Sequence, residues 1–201
     1  FQGSVPASMP PRFLAVGRFV AKKGPLDTLE AFALLQGLTD HADACSLVMV
    51  GDGPLLSVVQ ERAHQLGLEH LVQFPGVLSP DAVVQEMRRA RVFVQHSRTA
   101  EDGDEEGCPV SVMEAQLCGL PVVATRHGGI TDVVVDQQTG TLVEEGDRRG
   151  MAEAMALLAD RPELAAAWGA AGQRRSQARF TVKHHVDQIT MLLNDLVDHR
   201  R

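Results

Sequence analysis

Residues 46–68, SLVMVGDGPLLSVVQERAHQLGL, contain one complete structural unit of the chain. The opening residues are apolar and partly β-branched, the composition of a strand buried on both faces. The GDGP that follows (51–54) is a glycine-rich turn. Residues 55–68 carry apolar side chains at helical spacing and close at a glycine, a common helix stop.

The unit recurs on both sides. RFLAVG (12–17) reads as a strand ending in glycine, and GPLDTLEAFALLQGL (24–38) as a helix. LVQFPG, PDAVVQEMRRA, RVFVQHS, PVSVMEAQLCG and PVVATRHGG continue the alternation from 71 to 129. GTLVEEGD (140–147) supplies a last short strand, and helices are expected over 147–159, 162–178 and 181–197. Strands separated by single helices imply right-handed parallel crossovers. The expected fold is therefore α/β, a Rossmann-like open parallel sheet of about six strands with helices on both faces. Such sheets bind ligands beyond the carboxyl ends of their strands, so chemistry should sit in the loops that follow them.

Composition narrows what those loops can bind. The 201 residues suffice for one substantial core or two small ones, and no apolar run is long enough to span a bilayer. The net charge of -7 argues against general nucleic-acid binding, so an anionic ligand needs a local cationic cluster. Cys45, Cys108 and Cys118 form no CxxC pair, and only His184 and His185 are adjacent histidines. That pattern suits a reducing cytoplasm and gives no metal-ligand spacing. FQGS (1–4) reads as the remnant of a cleavable expression tag, followed by the proline-bearing VPASMPP. Residues 5–201 are accordingly expected to be one domain of a longer protein.

The loop GRFVAKKG (17–24) holds the needed cations. Between Arg12 and Leu26 there are four basic residues and no acid. Gly17 permits close backbone approach, Arg18 can fork onto a phosphate, and Lys23 can act as a point charge. A merely solvated basic turn is the competing reading. The VGDGP turn (50–54), with Gly51, lacks the full dinucleotide fingerprint, which argues against a nicotinamide site.

EDGDEEGCPVSVMEA (101–115) is richer. Five acids fall in the six positions 101–106, yet Glu114 stands alone in an apolar run. Pro109 suits the first position of a helix, which would turn the amides of Cys108, Val110 and Ser111 outward as an anion site. Glu106 precedes that helix and Glu114 lies just over a turn inside it. A carboxylate accepts two hydrogen bonds, so a vicinal diol of a sugar is the expected partner of Glu114. The acid run lacks the ligand order of a calcium loop and reads as solvated or acceptor-facing.

These segments, with FPGVLS (74–79) and GGITDVVVDQQTGTLVEEGD (128–147), resemble the donor-binding domain of retaining glycosyltransferases of the GT-B fold. The resemblance is to the large family 4, glycosyl transferases group 1, most of all to bacterial exopolysaccharide and colanic-acid-type members. It runs from Arg12 to Val197, and Arg18-x4-Lys23 with Glu106-x7-Glu114 are its most specific marks. It implies that Arg18 and Lys23 bind the donor diphosphate and stabilise the leaving nucleoside diphosphate. Glu106 would hold a hydroxyl of the transferred sugar and Glu114 the ribose hydroxyls. The amides of Cys108, Val110 and Ser111 would contact sugar or phosphate, and Val77 and Leu78 would lie near the base. The resemblance further implies no cofactor and no metal, and a UDP-sugar in preference to a GDP-sugar. A glycan or lipid-linked acceptor would be bound through an N-terminal domain absent from this chain. It also implies a cytoplasmic enzyme, with peripheral membrane association of the full-length protein.

Two positions depart from the commoner pattern, Pro109 where glycine is frequent and Asp132 where glutamate is usual. The last helix resembles the segment returning toward the missing domain, which would leave Val182, Val186, Ile189, Met191, Leu192, Leu193, Leu196 and Val197 partly exposed. Packing of that face on the chain's own sheet is the alternative. A nucleotide-sugar epimerase or a phosphorylase would use the same fold with added His and carboxylate groups or a cofactor lysine. A non-catalytic nucleotide-binding or interaction domain would keep the fold alone.

Overall fold

Side chains alternate between faces along a strand, and here both sets are apolar. In β1 (Arg12–Val16), Phe13 enters one core and Leu14 the other, both fully buried. β2 (Ser46–Val50) repeats this with Leu47 and Met49 against Val48 and Val50, and β4 (Val92–Gln95) with Val92 and Val94 against Phe93. A sheet apolar on both faces has to be covered on both. The computed structural model, which describes residues 5–198, shows how. FQGS, read as a tag remnant, lies outside the described residues.

The six strands, completed by β3 (Val72–Gly76), β5 (Val122–Thr125) and β6 (Gly140–Val143), form one parallel sheet in the order β3-β2-β1-β4-β5-β6. On the first face, α1 (Pro25–Leu35), α2 (Leu56–Gln65) and α6 (Arg148–Asp160) bury Leu29, Phe32, Val59, Met151 and Met155. Phe13 and Phe32 meet edge to face at 6.1 Å. A fully buried side chain of this size contributes roughly 1.5–3 kcal/mol. On the second face, α3 (Pro80–Arg89), α4 (Val110–Leu117) and α5 (Ile130–Val133) supply Met87, Val112, Ala115 and Ile130. α7 (Pro162–Arg179) buries Trp168 in the first core, then runs along α4, where Ser176 donates to Gln116 at 2.9 Å.

Strand order reverses between β1 and β4, so their following loops diverge and leave a crevice at the sheet's carboxyl edge. A backbone tie spans it, the Arg98 N–H donating to the Lys22 carbonyl at 3.0 Å. That edge is where the charged loops of the sequence converge.

α8 (Val182–Asp198) settles the alternative left open for the last helix. Val182, Val186, Ile189, Met191, Leu192 and Leu193 are all exposed, so this face does not pack on the chain's own sheet. The side chains at 196 and 197 lie outside those described. No described helix is long and apolar enough to cross a membrane.

Candidate functional site

The loops after β1 and β2 are stitched together by backbone. Gly17 donates to the Val50 carbonyl at 3.0 Å, Phe19 to Asp52 at 2.9 Å, and Leu55 to Phe19 at 3.0 Å. Gly51 is what allows this approach. Its φ is +135°, and a Cβ there would run into the Gly17 carbonyl. The chain then turns through a short 3-10 segment, Ala21–Lys23, and leaves at Gly24 into α1.

The stitched loops floor a cleft of about 490 Å³ lined by Gly17, Arg18, Gly51, Val77, Leu78 and Val83, among others. That volume lies within the range of small-molecule sites, about 300–1,000 Å³. Five residues singled out in the sequence thus share one cavity. Val77 is 76% exposed, a large apolar side chain presented at the rim. A second, smaller cavity lies beneath, lined by Gly17, Arg18, Lys23 and Gln95. Arg18 borders both. Among the described residues it pairs with no carboxylate.

The other two cations of the loop are paired. Lys22 Nζ donates to Asp104 Oδ1 at 2.9 Å and to the Glu105 carbonyl at 3.2 Å. Lys23 Nζ lies 2.6 Å from Glu106 Oε2, with both side chains more than four-fifths buried. The approach is off the hydrogen-bonding direction, so charge rather than a directed bond holds this pair. The acid run therefore lies against the basic loop through Asp104, Glu105 and Glu106, while Glu101, Asp102, Asp104 and Glu105 stay exposed.

Pro109 is the N-cap of α4, in an extended conformation (φ -68°, ψ 119°), and the helix begins at Val110. The expectation of Pro109 as the first helical residue was off by one, because the proline ring fixes φ near a value that both positions accept. The amides of Val110 and Ser111 still open the helix, without intrahelical acceptors. The Val112 N–H donates back to the Pro109 carbonyl at 3.1 Å. Ser111 Oγ donates to Gln95 Oε1 at 3.2 Å, joining the start of α4 to the smaller cavity.

Glu114 is half-buried, and among the described residues no cation pairs with it. Burial alone pushes its carboxyl above the usual range. Burial also raises the Cys108 thiol, as do Asp132 and Glu106 nearby, so it stays protonated at neutral pH. Glu106, Cys108, Val110, Ser111 and Glu114 line neither cavity. Of these, Glu106 and Ser111 form a second wall joined to the lining of the smaller cavity through Lys23–Glu106 and Ser111–Gln95, and Glu114 lies about a turn further along α4. Among the described residues no group of three or more His, Cys, Asp or Glu side chains could hold a metal ion.

The segment after β5 grips this wall. Gly129 N–H donates to the Gly107 carbonyl at 2.5 Å. Gly128, at φ +47°, sits where any Cβ would collide with the Glu106 carbonyl. His127 and Glu145 also meet there, and no motif in the sequence had singled them out. The one available signal was an ionisable residue beside each of two glycine turns, HGG and EEGD.

The chain is similar to known proteins in sequence and in fold. The chain is 35% identical to the putative colanic acid biosynthesis glycosyltransferase WcaL of Escherichia coli over 158 residues, 78% of this chain and 38% of that protein. It is 35% identical to the GDP-mannose-dependent alpha-(1-6)-phosphatidylinositol monomannoside mannosyltransferase of Mycobacterium tuberculosis over 85% of this chain and 44% of that protein. The chain thus spans less than half the length of these relatives. Its fold superposes on S. aureus TarM, a structure solved with UDP, with a TM-score of 0.81 at 20% identity, covering 96% of this chain and 36% of that one. The sheet is accordingly that of the Rossmann-like C-terminal half of a GT-B fold. The family described as glycosyl transferases group 1 matches residues 1–175, and with relatives above 30% identity over most of its length, the chain belongs to that family.

Proposed function

We propose that residues 5–201 are the donor-binding domain of a retaining glycosyltransferase that moves a sugar from a nucleoside diphosphate sugar to a glycan or lipid-linked acceptor. The position of Arg18 carries the reading. It borders both the cleft lined by Val77 and Leu78 and the smaller cavity reached by Lys23, as a residue under a diphosphate must. The base stacks against Val77 and Leu78, and Glu114 accepts from the two ribose hydroxyls. The diphosphate lies over Gly17 and the amides opening α4, held by Arg18 and Lys23.

To reach Lys23 the donor phosphate must displace the Glu106 carboxylate, which then turns to a hydroxyl of the transferred sugar. In the transfer step the bond from the anomeric carbon to the β-phosphate oxygen breaks. The acceptor oxygen forms its bond to that carbon on the same face, and its proton passes to the departing phosphate. Arg18 and Lys23 stabilise the charge that develops there, which is the role a divalent cation would otherwise fill.

Two of the similar mannosyltransferases are named as GDP-mannose-dependent, whereas the resemblance to exopolysaccharide enzymes favours UDP. Both belong in the test. Calorimetric titration of this chain with UDP, GDP and their sugar conjugates, with and without EDTA, should show saturable, EDTA-insensitive binding of one nucleotide class. Binding that vanishes with EDTA overturns the metal-free part. No binding of either nucleotide at millimolar concentration overturns the donor site and favours an interaction domain. The acceptor belongs to the part of the protein outside this chain, so the chain alone should transfer nothing. The full-length protein is proposed to work in the cytoplasm at the inner face of the membrane, which fractionation of cells producing it would test.

A further inference from the structure

We propose that His127, held by Glu145, is a positioning residue that sets where Glu106 stands in the site; this rests on the reading of Glu106 as a sugar-hydroxyl ligand. The Glu106 N–H donates to His127 Nε2 at 3.0 Å, so that nitrogen carries no proton. The opposite ring nitrogen, Nδ1, faces Glu145 Oε1 and donates to it. The second oxygen of the same carboxylate, Oε2, accepts the Thr99 N–H at 2.9 Å. One Glu145 side chain therefore fixes both ends of the acid-rich loop, directly at Thr99 and through His127 at Glu106.

The geometry is that of a built support. The His127 side chain is 3% exposed, and its ring has one acceptor and one donor, each satisfied. Partial burial raises the Glu145 carboxyl, but the bonds from His127 and Thr99 and the charge of Arg98 outweigh it and leave it below the usual range. Glu145 is thus a carboxylate at neutral pH and keeps the ring in the tautomer that can accept from Glu106. The remaining neighbours have no freedom to compensate. Gly128 packs against the Glu106 carbonyl and Gly129 bonds Gly107. The Glu106 amide is the backbone point from which its carboxylate is aimed, and a ligand group tolerates little error in such placement.

His127→Phe keeps a ring but removes the acceptor, and His127→Gln returns an amide oxygen near the place of Nε2. In the ligand-free chain, NMR should show the His127 ring protonated at Nδ1 only. His127→Phe should move the Glu106 amide resonance and speed its hydrogen exchange, and His127→Gln should restore both. In titrations, His127→Phe should weaken the nucleotide sugar about fivefold to tenfold while sparing the free nucleotide, since one hydrogen-bonded ligand is misplaced. His127→Gln should recover most of that loss.

A wild-type ring protonated at Nε2, an unmoved Glu106 amide in His127→Phe, or no recovery in His127→Gln overturns the proposal. So does equal weakening of nucleotide and nucleotide sugar. If His127→Phe does not fold, the wild-type tautomer and the His127→Gln amide decide. If the wild type binds no nucleotide, the donor-site reading fails, while the Glu106 amide still decides whether His127 holds it.

Discussion

Glu106 and Glu114 stand on one continuous run of chain, yet their surroundings are opposite. Glu106 is enclosed by partners: Lys23 at its carboxylate, His127 at its amide, and Gly128 against its carbonyl. Glu114 is half-buried, pairs with no cation among the described residues, and has a carboxyl raised by burial. An isolated, partly desolvated charge costs free energy in the empty protein, whereas a paired one costs little until a ligand competes for the partner. The Glu106 carboxylate is therefore occupied by its own counter-charge, which a ligand has to displace. The Glu114 carboxylate is preformed, with no such partner to displace among the described residues.

The largest effect should follow removal of the preformed group. On the proposed reading, Glu114→Ala deletes two charge-assisted hydrogen bonds to a diol, which corresponds to a loss on the order of 100-fold in nucleotide affinity. Calorimetry would read this as disappearance of binding. Unchanged affinity would mean that Glu114 is only a poorly placed core residue. Lys23→Met should do less, roughly tenfold, because Arg18 still carries the diphosphate and the lost lysine was already neutralised by Glu106. A loss confined to the diphosphate, with the free nucleoside unaffected, would assign Lys23 to phosphate. A gain in affinity would mean that Glu106 itself had been the main obstacle.

pH separates the two carboxylates further. Because Glu114 is raised in the folded state, the fold binds its proton more tightly than the unfolded chain does. Its contribution to stability is therefore fully present below the unfolded carboxyl pKa and is lost as pH rises through the folded value. Ligand binding has the opposite sign, since the diol needs the ionised acceptor. Nucleotide affinity should fall a few-fold between neutral and mildly acidic pH, about in proportion to the ionised fraction of Glu114. Glu114→Gln should flatten that profile and make the empty protein less sensitive to rising pH across the same interval. A profile that survives in Glu114→Gln would assign the titrating group elsewhere.

The sheet was readable because most of its strands are apolar on both faces and the first three end in glycine, as in Val16-Gly17 and Val50-Gly51. Arg18, Lys23 and Glu114 stood out because each contradicts its local composition. The Lys23–Glu106 and His127–Glu145 pairs were not readable, since each joins loops from different strands and sequence spacing carries no record of that. α8 illustrates a different limit. Its apolar pattern marks a face that water should leave, but whether anything covers that face is a property of neighbours. The proline at 109 failed for a third reason, its fixed φ being compatible with both the cap and the first turn.

The smallest effect tests whether the wall between the two glutamates works through backbone or side chain. Cys108 lies there with an exposed residue surface, and its thiol is kept protonated by burial and by Asp132 and Glu106. Among the described residues its sulfur makes one long contact, 3.8 Å to the Gly129 carbonyl, too weak to order the loop. If only the Cys108 amide faces the donor, Cys108→Ala should change nucleotide-sugar affinity by less than about twofold, which is under 0.5 kcal/mol. A loss as large as that of Lys23→Met would make the thiol a donor contact. The region beside Glu106 would then resemble the side-chain site at Glu114 more than the backbone cradle proposed for it.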